Sequence, residues 1–147
     1  MTQLLHENIP FQYTEIITSD FVRALISEDK KIIICEARMS YIPIEEFKKT
    51  FHECSEIISA EGVSKFIFDK RELTSFHQPS MEWYFLTWKK DMLKLGLNQH
   101  RKVLPEKPWF RQCVEACKSQ MLANADNTFL EAINLGYFDT VEDCIKF

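Results

Sequence analysis

The feature that most limits what this chain can become is a short run, Phe66-Ile67-Phe68, set between charged residues and followed by a loop and a long helical pattern. An apolar run without alternation reads as a strand covered on both faces, and strands of that kind are joined by crossover helices. Residues 64–96 therefore predict a buried strand, a loop over 69–80 and a crossover helix over 80–95. Pro79 and Ser80 start that helix, with Ser80 as its N-cap, and Gly96 ends it. The rest of the chain is expected to pack around this unit.

Upstream, residues 1–10 read as a loose lead-in ended by Pro10, and 11–147 as one domain. Extended segments over 11–18, 21–27 and 31–37 are separated by Ser19-Asp20 and Glu28-Asp29-Lys30, which predicts an antiparallel meander. The run Ile32-Ile33-Ile34-Cys35 puts the third segment inside the sheet. Pro43 then opens a helix in which Ile44, Phe47, Phe51, Cys54 and Ile58 form one apolar stripe, stopped by Gly62. Downstream, an extended piece over 100–104 stops at Pro105. Pro108 starts a helix with Phe110, Cys113, Val114, Cys117 and Met121 at helical spacing. Residues 124–136 leave a short helix and an outer strand both open. Asp139 and Glu142 have capping-box spacing ahead of a last helix. Two successive strand–helix–strand units make part of the sheet parallel. The expected fold is a single-domain α/β mixed β-sheet, an antiparallel meander plus parallel βαβ units, layered by helices.

A chain of 147 residues suffices for one core. Its net charge of −4 gives no general attraction to nucleic acid or to an acidic membrane surface. Between 89 and 111 the positive residues Lys89, Lys90, Lys94, Arg101, Lys102, Lys107 and Arg111 outnumber Asp91 and Glu106. They read as a solvated helix face plus strand ends, the alternative being a gathered basic patch. Neither a signal peptide nor a spanning segment is legible, so a cytoplasmic protein without integral membrane association is expected. The five cysteines read as free thiols. His6, His52, His77 and His100 lack ligand spacing, and Cys113 and Cys117 lack a second pair, so no metal or other cofactor is expected. With three glycines and no nucleophile elbow or phosphate loop, no catalysis is expected; His77 as a base is the remaining enzymatic reading.

The loop over 69–80 leaves a presumed parallel strand and enters a helix N-terminus, the place where open α/β sheets collect ligands. The candidate binding residues are Asp69, Arg71, Phe76, His77, Ser80, Trp83, Trp88 and Lys102. Together with Tyr84 their aromatic members would line a pocket. Arg71, His77 and Lys102 would supply polar contacts to a small apolar or anionic ligand. The alternatives are an Asp69–Arg71 pair and, for Ser80, either a cap or a phosphate acceptor. At about 100° per residue, Trp83, Leu86 and Leu93 project away from the helix's main apolar face, beside Lys90. Either a neighbouring element covers that surplus face, or it makes a contact with another chain or ligand, the expected interface being with a protein partner or a second copy.

The order meander, helix, strand ending in Asp69, loop, helix ending Lys94-Leu95-Gly96-Leu97, strand ending Leu104-Pro105, helix, and closing Phe138-Asp139-x-x-Glu142-Asp143-Cys144-x-x-Phe147 resembles the SpoIIAA-like (STAS/SEC14-type) small bacterial proteins over 11–147. The resemblance implies a sheet of four or five strands with helices. It also implies a non-enzymatic module, because relatives include anti-sigma-factor antagonists switched by serine phosphorylation and domains that hold small or lipid-like ligands. Those antagonists carry Asp-Ser, a small residue and glycine at the helix start. Here His77-Gln78-Pro79-Ser80 stands instead, which weakens the phosphoswitch at Ser80. The expected function is a regulatory or protein-interaction module, the alternative a ligand-binding protein with a pocket beside the loop.

Overall fold

The computed structural model describes all 147 residues. Phe66, Ile67 and Phe68 are fully buried in a strand, Lys65–Asp69, that pairs in parallel with a neighbour on each side. In chain order the strands are β1 (Thr2–Gln3), β2 (Asn8–Ile9), β3 (Tyr13–Thr18), β4 (Val22–Ser27), β5 (Ile32–Ala37), β6 (Lys65–Asp69), β7 (Gln99–Val103) and β8 (Asn134–Tyr137). The last six form one sheet in sequence order, β3 to β5 antiparallel and β5 to β8 parallel. The meander and the two parallel crossovers fall where the hydrophobic pattern put them. The sheet has six strands, more than the four or five that the resemblance implies, because residues 124–136 supply both candidate elements, a short helix and then β8.

The helices are α1 (Ile44–Glu61), α2 over 78–93, α3 (Pro108–Asn124), α4 (Asn127–Ala132) and α5 (Val141–Lys146). None is long and apolar enough to cross a membrane. Side-chain alternation divides the sheet into two faces. Ile33, Cys35, Phe66 and Phe68 lie in the larger core, with Phe47, Phe51 and Ile58 of α1 and Tyr84 and Trp88 of α2. Leu25, Ile34, Ile67 and Val103 point the other way, to Leu4, Ile9 and, on α5, Val141 and Cys144. The second face corrects one expectation. Residues 1–10 are not a loose lead-in, because β1 and β2 pair as a small hairpin whose Leu4 and Ile9 cover that face. Apolar side chains on the underside of a parallel strand need a cover, and this short segment is part of it.

Helix α2 departs from the expected boundaries and from a regular α-helix. It comprises an α-helical start (Gln78–Glu82), a π-helical stretch (Trp83–Trp88) and an α-helical end (Lys89–Leu93). His77 occupies the N-cap position, so Ser80 lies inside the first turn and is not the cap. A π turn advances each residue by less rotation than an α turn, so projection at a constant angle misplaces the residues beyond it. Trp83, Leu86 and Leu93 are half-buried and pack on the main core. Trp83 lies edge-on to Phe47, Phe51 and His52, with ring centroids 6.1, 6.3 and 5.6 Å away. Trp83 of the expected outward face thus packs on this chain's own α1. Helix α5 is capped by Thr140, whose hydroxyl accepts from the Asp143 N–H, one residue after the Asp139 that the spacing suggested.

Candidate functional site

Three lysines from separate elements meet inside the larger core. Lys70 follows β6, Lys89 follows Trp88 on α2, and Lys102 stands on β7 opposite Phe68, on the same face as His100. They are 1%, 0% and 9% exposed. Their Nζ atoms surround one aromatic ring, that of Tyr84, at 4.6 Å for Lys89, 5.2 Å for Lys102 and 5.7 Å for Lys70. None of the three forms an ion pair. Lys70 Nζ meets the Met81 sulfur at 3.2 Å, a weak acceptor. The Lys89 amine and the Tyr84 hydroxyl have no hydrogen-bond partner, and neither ring nitrogen of His100 has one.

Buried cations without counter-ions give up protons. Burial first, and then the charge of Lys102, pushes Lys70 and Lys89 well below the ordinary lysine value. Burial also brings Lys102 down to about 8. The resulting arrangement is one ammonium, Lys102, beside two amines whose charged form burial disfavours. Burial, helped by Lys89 and Lys102, likewise pushes His100 well down, so its imidazole is neutral. Burial pushes Tyr84 well up, so its hydroxyl remains a donor.

Lys70 and Lys102 form the polar end of a concavity of about 360 Å³ whose water-sized free space is about 20 Å³. The latter is about one water molecule. Phe76, Met81 and Phe85 form one wall, Val114, Cys117 and Met121 of α3 another, and Leu135 and Tyr137 of β8 close it. Lys118 also lines it, 4.9 Å from the Tyr137 ring centroid. Flexible methionines on two walls let such a space reshape around a larger occupant.

Of the residues expected at a site, Phe76 and Lys102 reach this pocket, and Tyr84 stands behind it. Asp69 and Arg71 do not; they lie on the other face, where Arg71 grips both Asp69 carboxylate oxygens at 2.9 and 2.8 Å and donates to Glu7 at 2.7 Å. Glu7 in turn accepts the Val141 and Glu142 N–H groups at the start of α5. His77 Nδ1 and Ser80 Oγ are 2.7 Å apart, and Ser80 is 1% exposed, so its hydroxyl is engaged and shielded. Trp88 is a core anchor whose indole donates to Phe51 O and Ser55 Oγ. Lys90 alone of the expected interface residues is exposed, beside half-buried Trp83, Leu86 and Leu93.

The reading of the positive residues over 89–111 as a solvated face is corrected for three of them, since Lys89, Arg101 and Lys102 are buried. Sequence reasoning does not single out Lys70 and Lys89 as site residues. A signal existed for Lys89, which falls beside Phe85, Trp88 and Met92 on the helix's apolar arc, where a lysine is out of place. For Lys70 the only cue is its nearness to the apolar run Phe66-Ile67-Phe68, with Asp69 between them. No protein-family model, curated protein or solved structure matches the chain.

Proposed function

We propose that this protein binds a small amphipathic anion, a carboxylate with a short apolar tail, with its head at Lys70 and Lys102 and its tail among Phe76, Phe85, Val114 and Met121. The observation that carries the reading is the cluster of three buried lysines without a carboxylate partner at the end of an apolar pocket. Isolated buried lysines cost stability, and an anion restores their charge balance. The same chemistry makes binding pH-dependent. A carboxylate binds the Lys102 ammonium, so affinity falls as pH rises through the Lys102 value of about 8.

The SpoIIAA-like type is the finer reading of the fold we favour, supported by the order meander, helix, strand, helix, strand. A partner-binding role for the outer side of α2 has less support, because Trp83, Leu86 and Leu93 pack on their own chain.

Thermal unfolding with octanoate, octanol and inorganic phosphate tests the proposal. Octanoate is expected to raise the melting temperature. At a hundred times Kd the gain is about 2.7 kcal/mol, a shift of several degrees. Octanol and phosphate should each do markedly less, and Lys102→Met should remove the octanoate effect. Equal shifts from octanol and octanoate, an undiminished shift in Lys102→Met, or no shift with octanoate would overturn the reading.

A further inference from the structure

A buried, unpaired amine in a pocket can do more than hold an anion. We propose that Lys70 is a nucleophile that condenses with the carbonyl carbon of a small 2-oxo acid, with Lys102 supplying the proton. The inference rests on the pocket reading above and narrows its ligand to an anion that carries a carbonyl beside the carboxylate.

The geometry that points to it is local. Lys70 is anchored at the end of β6, its amine 5.0 Å from the Phe68 ring centroid and 3.2 Å from the Met81 sulfur, in the wall of the pocket. The titratable groups around the amine are Lys102, Lys89, Tyr84, Cys117, Lys118 and Tyr137, and none is a carboxylate. A solvated lysine is an ammonium without a lone pair to donate. Burial beside a second cation leaves Lys70 as the free amine, which is how such lysines become nucleophilic.

The chemistry balances with groups already in place. The Lys70 lone pair forms the C–N bond while the carbonyl π pair moves to oxygen. Protons from the Lys102 ammonium and from the attacking nitrogen then convert that oxygen to water, which leaves as the C=N bond forms. One amine, one carbonyl and one ammonium become one iminium, one water and one neutral Lys102 amine. No oxidant or reductant takes part. Lys118 faces the same pocket and provides positive charge for the adjoining carboxylate.

The test traps the adduct on the full chain. The protein is incubated with 2-oxohexanoate and cyanoborohydride at neutral pH, and the modified lysines are located by peptide mass spectrometry. The expected result is one reduced adduct at Lys70, its formation suppressed by octanoate, lost in Lys70→Met and about a hundredfold slower in Lys102→Met. The map on the unmutated chain decides the matter even if a variant folds poorly. Label spread over exposed lysines such as Lys90 and Lys94, with Lys70 bare, overturns the inference. If octanoate still raises the melting temperature in that case, the pocket reading survives and only the nucleophile falls. If octanoate has no effect and Lys70 stays bare, both fall.

Discussion

Lys89 is fully buried on α2, its amine 4.6 Å from the Tyr84 ring centroid and 5.2 Å from that of Phe85, with no hydrogen-bond acceptor. Attraction to aromatic faces contributes about 2 kcal/mol at best in a desolvated setting, against several kcal/mol for stripping water from an ammonium. Desolvation wins, and the folded chain holds Lys89 as a neutral amine. Unfolding returns the proton, so the unfolded state binds more protons than the native one and stability rises with pH toward the ordinary lysine value. Lys89→Met keeps the stem's bulk and removes this cost. Denaturant unfolding at neutral pH should show the variant more stable by about 1–3 kcal/mol, an advantage that shrinks as the buffer is made alkaline. At this scale the sequence was legible where residue type and burial agree, as for Phe66 and Phe68 of the central strand. It was opaque for Lys70 and Lys89, because charged side chains are ordinarily assigned to solvent and only the assembled fold shows otherwise.

Among the elements, α5 shows how remote residues complete a short helix. Its six residues are too few to persist alone. Glu7 satisfies the Val141 and Glu142 N–H groups at its positive end. Lys65 Nζ donates to the Cys144 and Ile145 carbonyls and Arg101 to the Phe147 carbonyl at its negative end. Charge thus complements the helix dipole at both ends. Replacing Glu7 by alanine strips the first turn of its acceptor and leaves Arg71 with Asp69 alone. A loss of about 1–3 kcal/mol is expected, with faster hydrogen exchange at Val141 and Glu142. None of these long-range bonds is visible in local pattern, which explains why residues 1–10 read as a loose lead-in. The strands and the helices α1 and α3 were legible because their apolar periods are long and bounded by Pro43, Gly62, Pro105 and Pro108. Gly62 indeed takes the left-handed conformation, φ 70°, and its N–H closes the helix onto Ile58. In α2 the period itself changes at Trp83, and a reading at constant pitch could not decide whether Trp83, Leu86 and Leu93 are covered by their own chain.

Across the whole molecule, the parallel half of the sheet gathers the lysine cluster. Residues 70, 89 and 102 come from a strand end, a helix and the next strand, and pairing of Phe68 with Lys102 sets one against another in register. The buried central strand, the meander and the parallel crossovers could be read from hydrophobic pattern. Which side of the sheet would hold a site could not, since Asp69 and Arg71 turn to one face while Lys70 turns to the other. The cluster's unusual protonation is therefore a property of the folded chain as a unit. NMR titration of isotope-labelled lysine side chains, in the folded chain and again in urea, measures it directly. Lys102 is expected to titrate at about 8 in the folded chain, with Lys70 and Lys89 well below the ordinary value of 10.5, and all three to return toward 10.5 on unfolding. Three folded-state midpoints near 10.5 would contradict a cluster of desolvated, unpaired amines.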